Sequence, residues 1–228
     1  MRENFKMELE NLTQSLIEMG VLVEAALGKT ILSILKRDKE LALQIKENDK
    51  DIDQKLKEIE SHSIRLLLKE QPVAQDLRKV SATLKMVSDL ERIGDQAADI
   101  ADIVLQIADR IDIASVPHVL TMAESVKQML HKSIKAFVED NLELAYTIND
   151  LDDEIDNLFH EVKKALIRLI HENEKNGDYA MDVFMVAKYL EKIGDHSLNV
   201  AKWVIFSDTG IKNGINYLTS TKESLEEK

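Results

Sequence analysis

Two copies of one acidic phrase carry the residues most capable of chemistry. LERIGDQAADIAD spans Leu90–Asp102 and LEKIGDHSLNVAK spans Leu190–Lys202. Glu91, Asp95 and Asp99 recur at intervals of four in the first copy, as do Glu191, Asp195 and Asn199 in the second. That spacing stacks the side chains on one face of an α-helix. Each phrase is preceded by a second acid pair, Asp49 and Asp53 in one half and Asp152 and Asp156 in the other. On a helical wheel at about 100° per residue, these acids interrupt apolar stripes that are expected to face a helical core. Glu91 and Asp95 share theirs with Leu77, Val80, Leu84, Val87 and Ala98, whereas Asp49 and Asp53 fall among Ala42, Ile45, Ile52 and Leu56.

Ionised carboxylates turned toward an apolar core are costly unless a cation or hydrogen bonds compensate them. Four or more on two facing helices suit a metal. Oxygen donors favour Mg²⁺, Mn²⁺ or Ca²⁺, and carboxylate clusters also hold Fe or Zn. The Glu-x-x-His pairs of di-metal helical bundles are missing, and His160 lies only at the edge of its acidic face. Arg92 and Lys192 stand a quarter-turn away, an orientation that predicts little neutralisation. The competing reading is a solvated groove, or pairing with basic residues of neighbouring helices; recurrence of the acid pairs at four equivalent places favours metal.

Helices must position these acids. The chain has seven Gly and two Pro in 228 residues, with 32% charged and 4% aromatic residues, a balance that predicts long helices. Six are expected. The first runs from about Glu3 to Leu35, weakened by Gly20 and Gly28. The second is capped by Asp38 and ends near Lys69. Pro72 is expected in the first turn of the third, which carries the first phrase to about Arg110. A break at Pro117 precedes the fourth. Asp140 and Glu143 have capping-box spacing for the fifth, Gly177 suits its C-terminal cap, and Asp178 the start of the sixth. ELALQIKENDKDID and ELAYTINDLDDEID align at an offset of 103 residues and the two phrases at 100, so a duplicated three-helix unit is implied. The expected organisation is all-α: two tandem, pseudo-symmetric three-helix bundles at 1–113 and 114–208, with a polar, flexible tail at 209–228.

A second apolar stripe lies opposite the acids: Met86, Leu90, Ile93, Ala97, Ile100 and Val104, matched by Val186, Leu190, Ile193, Val200 and Val204. A helix apolar on two sides belongs at the centre, so these stripes are expected to join the two bundles. Gly94 and Gly194 sit where a small residue permits close helix approach.

Composition excludes several functions. A formal net charge of −12 opposes nucleic-acid binding, and the lack of Cys removes disulfides, thiolate ligands and cysteine nucleophiles. The N-terminus has no signal-peptide core and no segment reads as a transmembrane span, which predicts a cytoplasmic protein.

The doubled Glu-Arg/Lys-Ile-Gly-Asp phrases, each following an Asp-x-x-Ile-Asp helix, together with KEQPVAQDLRKVSATLKMVSDLERIGD, closely resemble the PhoU family of phosphate-signalling regulators. The resemblance implies two three-helix bundles, multinuclear metal sites at the acidic motifs, and homodimers. It also implies an adaptor, linking the ATPase subunit of the phosphate ABC transporter to a membrane sensor histidine kinase, that represses the phosphate regulon when phosphate is plentiful. Attachment to the membrane would then run through proteins, without insertion. The first metal set would be Asp49, Asp53, Glu91, Asp95 and Asp99; the second would be Asp152, Asp156, Glu191, Asp195 and Asn199. With a neutral Asn199, and Lys202 in place of Asp102, the second is expected to bind more weakly. The metal would be Fe, Zn, Mn or Mg. Two other functions compete: a carboxylate-bridged metalloenzyme, such as a phosphohydrolase or iron oxidase, and a helical scaffold with solvated acid rows. The absence of a general base outside the ligands, and of a Gly-rich phosphate loop, argues against the enzyme.

Overall fold

The computed structural model describes residues 2–109, 112–212 and 215–216. Helices α1 (Arg2–Lys36), α2 (Lys39–Glu70) and α3 (Ala74–Ile107) form the first half. Helices α4 (Val119–Val138), α5 (Leu142–Tyr146), α6 (Ile148–Glu172) and α7 (Gly177–Thr209) form the second. The fifth expected helix is thus interrupted at Thr147, which separates α5 from α6; taken as one unit they complete three plus three.

Helix α1 is continuous because its buried residues, Leu12, Leu16, Met19, Val23, Leu27, Ile31 and Ile34, recur every three or four positions. Gly20 does not weaken it. A Cβ there would lie 3.1 Å from Ile134 Cγ2 of α4, so this glycine admits the other half of the molecule. Asp38 caps α2 as expected, its Oδ1 accepting from the Leu41 amide at 2.9 Å.

Other boundaries differ from the sequence reading. Pro72 lies in the link before α3, which begins at Ala74. Asn141, not Asp140, caps α5: its Oδ1 accepts from the Leu144 amide at 3.0 Å, while Asp140 takes a left-handed turn at φ 48°. Gly177 has ordinary helical angles and opens α7, and Asn173 ends α6 in an extended conformation. Beyond Gly210, Ile211–Lys212 pairs antiparallel with Ile215–Asn216, with Lys212 opposite Ile215. Lys212 lies over the Trp203 ring, 3.2 Å from its centroid. Helix α3 ends at Ile107, short of the expected end near Arg110, and Arg110 itself and the remainder of the tail lie outside the described residues.

The two halves meet along α3 and α7, which pack against each other with the apolar stripes between them. Met86, Leu90, Ile93, Ala97, Ile100 and Val104 are buried, as are Val186, Leu190, Ile193, Val200 and Val204. The sequence expectation that these stripes join the halves therefore holds. Polar pairs flank the seam. Asp89 meets His196 at 2.9 Å and accepts from Asn199 at 3.4 Å, while Asp99 accepts from Tyr189. The pair 89/199 and the pair 99/189 exchange under the repeat, so α3 and α7 run antiparallel about a pseudo-two-fold axis.

Glycine is required for the approach of the first acid-bearing helix pair but not for that of the second. A Cβ on Gly94 would stand 2.9 Å from Ile52 Cδ1 and 3.3 Å from its Cγ2, whereas one on Gly194 would meet Ile155 Cδ1 at an ordinary 3.4 Å. Opposite stability changes are therefore expected. Gly94→Val should destabilise by about 2–3 kcal/mol through overpacking against a buried Ile52. Gly194→Ala should stabilise by up to about 1 kcal/mol through helix propensity. Urea unfolding of both variants measures the contrast.

Candidate metal centre

The close crossing of α2 and α3 at Ile52 and Gly94 brings Asp49 and Asp53 alongside Glu91 and Asp95. One carboxylate oxygen from each of Asp53, Glu91 and Asp95 lies within 4.8 Å of the other two. Oxygens bound to a common divalent ion at about 2.0–2.6 Å are separated by distances of this order. The group contains no His or Cys, so its donors are hard oxygen alone. The acids do not point into the core, as the wheel suggested. All four are partly exposed, beside the crossing at which Ile52 and Gly94 are buried.

Electrostatics mark the same residues. Burial first, then Asp95, Asp53 and Asp99, raise the Asp49 carboxyl above its ordinary range. Burial first, then Asp95, also raises Glu91, against an opposing pull from Arg92. Asp95 is raised mainly by burial, and by Asp53, with Arg92 again opposing. Asp99 is raised by burial and by Asp95 and Asp102, although it also faces the seam and accepts from Tyr189. Arg92 thus does reach the acids: its Nε is 3.6 Å from Glu91 Oε2 and its Nη1 is 3.6 Å from Asp95 Oδ2. A wheel places Cβ atoms, and the long side chain swings back over the face.

The pH dependence has a definite sign. Carboxyls held above their unfolded values of about 4 bind more protons in the folded than in the unfolded chain. Their contribution to the stability of metal-free protein therefore falls as pH rises from about 4 through the raised folded values. Melting curves of metal-free protein from about pH 4 up to neutrality, compared with those of an E91Q/D95N variant, should show a smaller acid-to-neutral loss in the variant.

The second half differs. Asp152 and Asp156 lie on α6, and Glu191 and Asp195 on α7, with the crossing at Ile155 and Gly194. Burial raises Asp152, reinforced by Asp156 and Asp195 and opposed by Lys202. Here, however, lysines occupy the acids. Lys188 Nζ donates to both Glu191 oxygens, at 2.8 and 2.6 Å, and Lys192 Nζ donates to Asp195 Oδ2 at 2.5 Å. Lys192 therefore also neutralises its face, contrary to the wheel. Asn199 is not gathered with these acids; its amide donates to Asp89 across the seam. His160 turns its Nδ1 to the Asp156 carbonyl at 2.8 Å. Lys188 was not singled out from sequence. Its signal was there, a Lys three residues before Glu191 where the first copy has Ser88.

A model of the PhoU domain matches residues 16–104 and 119–204, one copy on each half. The chain belongs to the PhoU family. It is 35% identical over 216 residues to a phosphate-specific transport system accessory protein PhoU homolog of Clostridium acetobutylicum, covering 94% of this chain and 99% of that one. A PhoU homolog of Zymomonas mobilis is 34% identical over 206 residues, 90% of this chain and 87% of the other. The crystal structure of PhoU from Pseudomonas aeruginosa superposes with a TM-score of 0.85 at 29% identity, covering 91% of this chain and all of that one. That of the phosphate transport system regulatory protein PhoU from Streptococcus pneumoniae gives 0.84 at 29% identity, covering 92% of this chain. The tandem PhoU fold, with both acidic phrases inside it, is therefore shared along nearly the whole chain.

Proposed function

We propose that this PhoU-family protein is a non-enzymatic accessory regulator of phosphate-specific transport. The observation that carries the reading is likeness over 94% of the chain to proteins named as accessories of that transport system. In this reading the protein docks on the ATPase subunit of the transporter and on a sensor histidine kinase, and represses the phosphate-starvation response when phosphate is abundant. The halves at 1–113 and 114–208 act as one adaptor, assembled as a homodimer. A metal ion such as Fe, Zn, Mn or Mg at Asp49, Asp53, Glu91 and Asp95 would cancel the mutual repulsion of the acids and fix the crossing of α2 and α3.

The protein would work in the cytoplasm, held to the membrane by its partners. No helix among the described residues is long and apolar enough to cross a bilayer, and a net charge of −12 opposes anionic head groups. Deletion of the gene should switch on a phosphate-starvation reporter in high phosphate, and the wild-type chain should restore repression. Affinity capture from phosphate-replete cells should recover the transporter ATPase. A deletion strain that keeps normal repression would refute the regulatory role.

A further inference from the structure

The two acidic clusters are alike in sequence and unlike in charge balance. In the first half the only basic side chain described against Glu91 and Asp95 is Arg92, 62% exposed and no closer than 3.6 Å. In the second, Lys188 forms two short hydrogen bonds to Glu191, whose side chain is only 15% exposed. Lys192 binds Asp195 and approaches Glu191 to 3.5 Å, and Lys202 acts on Asp152. Lys188 also has a seat of its own. Its Nζ lies 5.4 Å from the centroid of the Phe159 ring, which is backed by Phe184 at 5.7 Å. An ammonium between an aromatic face and a carboxylate is held by both. Under the repeat, Phe159 corresponds to Leu56 and Lys188 to Ser88. Cation and seat therefore occur together in the second half, and neither occurs in the first. Among the described residues, only Asp53, Glu91 and Asp95 bring their carboxylate oxygens close enough together to share an ion.

We propose that the second cluster is not a metal site: Lys188 is a built-in cation on Glu191, and the chain carries one metal centre, in its first half. Glu191 spends both oxygens on an ammonium, and a divalent ion would have to expel Lys188 into the neighbourhood of Lys192 and Lys202. The inference rests on reading the first cluster as a metal centre, and the test separates the two. Mn²⁺ is titrated into stripped, full-length protein, with binding read by equilibrium dialysis. The wild type should bind, E91Q/D95N should lose binding, and adding K188S to E91Q/D95N should restore it, to be lost again with E191Q. Mn²⁺ retained by E91Q/D95N and removed by E191Q overturns the inference, as does failure of K188S to gain a site when the wild type binds. Wild type that takes up no Mn²⁺ refutes the first-cluster reading instead. The melting temperature of metal-free protein then decides the role of Lys188. E91Q removes an acid from a repelling group and should raise it by about 2–4 °C, whereas E191Q strands two lysines and should lower it by a similar amount. Shifts of the same sign overturn the built-in cation.

Discussion

Replacing Glu91 by Gln and Asp95 by Asn together should lower metal affinity at least about 100-fold while leaving the helical content unchanged. Each substitution keeps an oxygen donor and removes a charge, so the loss reports ligand charge rather than shape. Both side chains are partly exposed and neither belongs to the hydrophobic core, so the fold does not depend on them. Burial and like charges already push both carboxyls toward the neutral form. The metal-free variant should therefore melt higher than metal-free wild type, while the metal-loaded order is reversed, because only the wild type gains from ion binding. Calorimetry with and without chelator gives both comparisons. A variant that binds metal as tightly as the wild type would remove these residues from the ligand set. In cells, the same pair of substitutions should derepress a phosphate-starvation reporter if the metal shapes the docking surface.

The largest effect on stability is expected at the seam. Ile93 and Ile193 are fully buried on the facing stripes of α3 and α7. Ile93→Ala should cost about 2–5 kcal/mol, from lost burial and the cavity left behind. Because one core spans both halves, a single unfolding transition should shift as a whole. Separate melting of the two halves, seen as two transitions in calorimetry, would show that the seam is only a weak contact. Ile193→Ala should match Ile93→Ala, since the two positions are equivalent under the repeat.

Much of this arrangement was legible in the residues. Long helices followed from the few breakers and the three-to-four spacing of Leu, Ile and Val, and the central place of α3 and α7 followed from stripes on two sides. Gly94 announced a close crossing, and Ile52 proves to be what it admits. What escaped depended on reach and on short-range turn geometry. A helical wheel places Arg92 and Lys192 by their Cβ atoms, yet their long side chains curve back onto the acids. Asn141 outcompetes Asp140 as a cap because the chain takes a left-handed step at Asp140, a choice invisible in the capping-box pattern. Lys188 and the partner of Asn199 escaped because repeats draw attention to matched acids, whereas the difference between the halves lies in the unmatched partners around them. Asn199 proves to serve the seam, bonded to Asp89.

The pseudo-two-fold axis between α3 and α7 carries one more consequence. Each half presents to the other nearly the surface that it receives, as an isologous dimer interface does. A chain cut at the Pro117 link would leave the first half with Met86, Leu90, Ile93, Ala97, Ile100 and Val104 bare, a face already shaped to receive its own likeness. Such a fragment would pair with itself. The tandem chain is in that sense a homodimer made covalent, and the link near Pro117 permits what two identical subunits cannot do: one half can keep its acids open to a metal while the other closes on its own lysine.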